Sequence, residues 1–101
     1  MEDNKQDLLQ ELLKKLKQSI GVLYNDTSLD SFYGTKLQIA INDYLAEDIS
    51  ESVLATEYGK DAVVLYAIAL INQVEIATNP TIIFTKNKLS LLTKGERVEN
   101  A

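Results

Sequence analysis

Residues 62–71 read Ala-Val-Val-Leu-Tyr-Ala-Ile-Ala-Leu-Ile, ten apolar residues in a row inside a chain that is otherwise polar and acidic. Gly59, Lys60 and Asp61 precede them, and Asn72 and Gln73 follow. The run is too short for a bilayer, which takes about 20 residues. A segment that is apolar on every side has to be enclosed by protein on every side. The reading is therefore a buried helix at about residues 60–74, opened by Asp61, with the rest of the chain wrapped around it. The fold class expected is all-α, a small bundle of four to five helices around this central buried helix.

The neighbouring segments supply the wrapping. Leu8, Leu9, Leu12, Leu13, Leu16 and Ile20 recur at helical spacing, with acids (Glu2, Asp3, Asp7, Glu11) early and lysines (Lys14, Lys15, Lys17) late, an order that complements the helix dipole. This predicts a helix over residues 6–20 that stops at Gly21. Asn25-Asp26-Thr27-Ser28 is a turn with Thr27 or Ser28 as cap. A second helix follows at about 28–46, carrying Leu29, Phe32, Tyr33, Leu37, Ala40, Ile41, Tyr44 and Leu45. Gly34 inside it costs on the order of 1 kcal/mol relative to Ala, which a packed helix tolerates, and would permit close approach of a neighbour. Ser50-Glu51-Ser52 can cap a turn or two bearing Val53 and Leu54. Asn79-Pro80 is a helix start, Asn as cap and Pro at the first helical position. The following Thr81–Thr85 (TIIFT) also fits a short β-branched strand, and the helical reading is preferred. Thr93-Lys94-Gly95 reads as its stop. The expected organisation is a single helical domain over 1–95 and a flexible C-terminal tail over 96–101.

Composition narrows the chemistry. A chain of 101 residues with 46% apolar and 25% charged residues is an ordinary one-domain composition. A chain of this size buries only roughly 60–70% of its unfolded surface, so association with other chains would add burial that it lacks alone. It has no His and no Cys, which removes the usual general base, the usual nucleophile, disulfides and the usual zinc ligands. The four glycines are isolated and form no phosphate loop. Glu47, Asp48 and Glu51 lack the spacing of a Ca²⁺ loop. No catalytic, cofactor-binding or metal-ligating residue is assigned, no cofactor is expected, and the chain is read as not an enzyme.

Tyr33, Tyr44 and Tyr66 fall on apolar helix faces and are expected in the core. MEDNKQDLL at the N-terminus does not read as a signal peptide, so synthesis and retention in the cytoplasm are expected, with no membrane partner.

Charge is uneven within the net −5. Asp26, Asp30, Asp43, Glu47, Asp48, Glu51, Glu57 and Asp61 face only Lys36 and Lys60 in the middle of the chain, whereas Lys86, Lys88, Lys94 and Arg97 face only Glu96 near its end. Solvated helix faces explain this simply. A sharper reading makes Asp43, Glu47, Asp48 and Glu51 an acidic interface and Lys86, Lys88, Lys94 and Arg97 a basic surface that meets a neighbouring subunit or lies near DNA.

The order of these segments resembles a known family. An amphipathic start ending in LKQSIGV (Leu16–Val22) leads to an acidic turn (Tyr24-Asn25-Asp26). The helix LQIAINDYL (Leu37–Leu45), the connector ISESVL (Ile49–Leu54) and the segment DAVVLYAIAL (Asp61–Leu70) follow. The pattern is similar to the small head–tail connector (adaptor, or head completion) proteins of long-tailed bacteriophages, over about residues 8–92. The resemblance implies an α-helical structural virion protein, made in the host cytoplasm and located in the virion neck. It further implies a homo-oligomeric ring, typically a dodecamer, that contacts the portal protein and the next neck or tail protein. Genomic DNA would pass through the ring without sequence readout, and an acidic lumen would let it slide. A different reading is an intracellular helical-bundle bacteriocin immunity protein, some of which Leu23-Tyr24-Asn25-Asp26 loosely resembles. A third is a small regulator docking through Leu8–Ile20 as a helix in a groove.

Overall fold

The computed structural model describes the backbone of residues 2–99 and the side chains of residues 7–98. The described residues form five helices and no strand: α1 (Glu2–Ile20), α2 (Asp30–Ala46), α3 (Glu51–Leu54), α4 (Glu57–Ile71) and α5 (Pro80–Glu99). Helix α4 contains the ten-residue apolar run and packs against each of the other four helices. Every residue from Ala62 to Ile71 is buried or half-buried. The all-α bundle around a central helix is thus the fold, although α4 occupies 57–71 and not 60–74. It starts earlier because Thr56 caps it, its hydroxyl accepting from the Gly59 N–H at 3.1 Å, and it ends at Asn72.

The molecule measures 45 × 34 × 18 Å. Its short dimension is that of about two helix diameters, so a peripheral helix has one face on the core and another in solvent. Leu12 and Leu16 of α1, Tyr33, Leu37, Ala40 and Tyr44 of α2, and Ile82 and Leu89 of α5 close around α4. Tyr44 and Tyr66 meet edge to face at 5.2 Å, and the Tyr44 hydroxyl donates to the Ala62 carbonyl at 3.4 Å. All three tyrosines placed in the core by their spacing are there.

Three helices end the same way. After α1, Val22 N–H reaches the Lys17 carbonyl and Gly21 N–H the Gln18 carbonyl. Ile49 and Asp48 repeat the pattern on Tyr44 and Leu45 after α2, and Val74 and Gln73 on Ala69 and Leu70 after α4. This double closure requires a left-handed residue at its corner. Gly21 (φ 78°), Asp48 (φ 67°) and Gln73 (φ 56°) occupy the corners. Only the first carries the glycine that makes such a stop readable in sequence.

The remaining differences are local. Helix α1 reaches back to Glu2, ahead of the expected residue 6. Helix α2 begins at Asp30, and neither Thr27 nor Ser28 caps it. The Asp26 carboxylate instead folds the turn by accepting from both the N–H and the hydroxyl of Ser28. Asn79 does cap α5, its Oδ1 accepting from Thr81 and Ile82 N–H at 3.0 and 3.1 Å, so TIIFT is helical. Helix α5 runs through Thr93-Lys94-Gly95 to Glu99. Residues 96–99 of the expected tail are therefore helical, and residues 100 and 101 lie outside the described residues.

Candidate functional site

The acidic and basic sets singled out in the sequence come from α2, α3 and the turn between them on one side, and from α5 on the other. The fold brings half of them together within one chain. Arg97 grips Asp48 through both guanidinium nitrogens, each 3.0 Å from a carboxylate oxygen. Lys86 lies 3.7 Å from Glu47. Two further bonds join the same surfaces: Thr93 Oγ1 accepts the Ser50 N–H at 3.2 Å, and Ser52 donates to Glu96 at 2.6 Å. Thr93, Glu96 and Arg97 share one face of α5 by their spacing of three and four. That face clasps the α2–α3 turn, which is why the helix continues past Gly95.

The Arg97 guanidinium holds the Asp48 carboxyl below its ordinary range, chiefly by hydrogen bonding and then by charge; Lys15 does the same to Glu57. A carboxyl whose pKa is depressed in the folded state adds stability above its unfolded pKa and loses it as pH falls through the folded value. Both groups are exposed, so water screens the effect. Melting temperature is accordingly expected to fall below about pH 4, and less steeply in Asp48→Asn and Glu57→Gln variants. Superimposable acid profiles for variants and parent would refute this.

The other four residues are placed differently. Asp43 accepts a 2.5 Å hydrogen bond from the Tyr66 hydroxyl, and with Glu47, Tyr66, Ile82 and Lys86 it lines a surface cleft of about 410 Å³. Glu51 stands in the first turn of α3 and lines a smaller apolar cleft, about 190 Å³, between α1 and α2. The Lys88 ammonium sits over the Tyr58 ring at 4.8 Å. Lys94 is exposed. Among the described residues neither Lys88 nor Lys94 has a carboxylate within 4.0 Å.

The Asp43–Tyr66 pair has poor prospects as an acid–base device. Burial and then the Asp43 carboxylate push the Tyr66 phenol far up, and burial pushes Tyr44 to about 12. Both phenols therefore keep their protons near neutrality, Tyr66 donating to Asp43 and Tyr44 to the Ala62 carbonyl. No group of three or more Asp or Glu side chains is arranged to hold a metal among the described residues, and no described helix is long and apolar enough to cross a membrane.

Much of the mid-chain acidity is also answered at home. Lys15 bridges to Glu57 and Asp61, and Lys60 to Glu11 and Glu57. Sequence reasoning missed Lys17, taken only as a dipole-complementing charge. Its side chain is 2% exposed, bonded to Asp30 at 2.7 Å and to the Tyr24 carbonyl at 3.0 Å. The signal was there: Lys17 follows Leu13 by four and precedes Ile20 by three, which puts it in the apolar stripe.

What the surface offers instead is apolar area. One exposed group is Leu23, Tyr24, Leu29 and Phe32, around the α1–α2 turn and the start of α2; the other is on α5, with Phe84, Leu91 and Val98. The Leu8–Ile20 stripe is not available for docking in a groove, since Leu12 and Leu16 are spent in the core. No family model, no curated protein and no solved structure matches this chain.

Proposed function

We propose that this chain is a structural docking protein, a head–tail connector subunit of a long-tailed bacteriophage that assembles as a ring between the portal and the tail. The observation that carries the reading is a pair of exposed apolar surfaces on different elements, at Leu23–Phe32 and along α5, in a chain without His or Cys. Two unlike surfaces let one subunit hold a neighbouring copy and a different neck protein at once, and heterologous contacts between copies close into rings when the rotation allows. The resemblance in segment order and the small helical bundle point the same way. The internal pairs Arg97–Asp48 and Lys86–Glu47 make these four residues poor candidates for bonding between subunits. Mass photometry with and without portal protein tests the reading. A ring-sized species, or one formed on portal, is expected; a chain that stays monomeric and ignores portal at high concentration overturns it.

A further inference from the structure

The outer face of α5 holds Phe84, Leu91 and Val98, which are 68%, 68% and 76% exposed. They are spaced by seven. Seven residues make two helical turns, so the side chains form one row with steps of about 10 Å. This repeat keeps a seam turned toward a second helix along its whole length. Single exposed apolar residues are ordinary; three in register on a face the bundle leaves open are a surface in their own right.

The charges beside the row say what fits it. Lys88 and Lys94 flank it, both exposed and neither with a carboxylate within 4.0 Å among the described residues, Lys88 lying over the Tyr58 ring. Lys86 and Arg97 lie on the other side of the helix and pair with Glu47 and Asp48. A second copy of α5 is a poor occupant. Laid antiparallel about Leu91 it sets Lys88 against Lys94 of the other copy, since each lies three residues from the centre. Laid parallel it sets each lysine beside its own equivalent. Like charges meet either way, at a cost in affinity.

We propose that α5 is the docking seam for an acidic amphipathic helix of a different protein. That helix presents apolar residues at seven-residue spacing to Phe84, Leu91 and Val98, and Asp or Glu to Lys88 and Lys94. The inference goes beyond the ring reading and does not depend on it.

The test uses a dye-labelled 21-residue peptide with Leu at the first and fourth heptad positions and Glu at the flanking ones, and a counterpart with every Glu replaced by Lys. Fluorescence anisotropy is read with the full chain at low and at high salt. The acidic peptide is expected to bind at least about tenfold tighter than the basic one and to weaken with added salt. Leu91→Glu should abolish binding, and Lys88→Glu with Lys94→Glu should reverse the preference between peptides. All three sites are exposed, and circular dichroism checks that the variants fold. Equal binding of both peptides, binding of neither, or no reversal by the lysine changes overturns the proposal. So does a self-association that Leu91→Glu removes, which would give the seam to a second copy. A ring that forms in Leu91→Glu while peptide binding is lost upholds the seam separately from the ring.

Discussion

Alanine at Gly59 is expected to lower stability by about 3 kcal/mol, a fall in melting temperature on the order of 10–20 °C for a domain of this size. Gly59 is the third residue of α4, where alanine normally gains roughly 1 kcal/mol over glycine. Here helix α3 folds back on α4 through only Ala55 and Thr56, and the two backbones touch. A Cβ on Gly59 would overlap the Val53 carbonyl oxygen and lie 2.6 Å from Leu54 Cα. The obstacle is main chain and cannot swing aside. Gly34 and Gly95 supply the control, because a Cβ at either meets nothing within 4 Å. Alanine there should stabilise by about 0.5–1 kcal/mol. Thermal and urea unfolding of the three variants would show one substitution with opposite signs, and an unchanged midpoint for Gly59→Ala would refute the close approach.

The second large effect concerns Lys17 and Asp30, and it is asymmetric. Removing one partner of a buried pair strands the other charge, at a cost of about 3–5 kcal/mol when both are enclosed. The lysine is enclosed, but the Asp30 side chain is 31% exposed. Asp30→Ala is thus expected to cost about 2 kcal/mol, the lower figure reflecting water near the site. Lys17→Met leaves an apolar chain of similar reach in an apolar stripe and an aspartate that can turn to solvent, at a cost of about 1 kcal/mol or less. The double variant should recover most of the loss of Asp30→Ala. Amide exchange should quicken over residues 22–29 in Asp30→Ala, because Lys17 also holds the Tyr24 carbonyl. Equal destabilisation by the two single changes would rule out the stranded charge as the cause.

Much of the architecture was legible because it rests on local rules. The Leu8–Ile20 stripe, the Asn79-Pro80 start, the Gly21 stop and the Ser50 cap each need only a few adjacent residues, and each appears where those residues place it. The boundaries that moved are those set from a distance. Gly95 looked like a stop, but Thr93, Glu96 and Arg97 find partners some forty residues away, on the α2–α3 turn and α3, and carry the helix to Glu99. Asp48 and Gln73 end helices in a conformation that neither side chain announces.

The candidate site was legible only as an inventory. Composition identified eight charged residues as two sets. It could not separate Asp48, Glu47, Lys86 and Arg97, which pair within the chain, from Lys88 and Lys94, which stand beside an open apolar row. That distinction depends on which face of α5 lies on the core.

Sequence alone determined that a helix buried on all sides must sit at the centre and that other helices must cover it, because hydrophobic burial and helical periodicity are properties of short stretches. Tertiary structure alone decided which charges are already satisfied, which glycine is indispensable and which helix face remains uncovered. These depend on distances between segments far apart in the chain, and no local pattern encodes such distances.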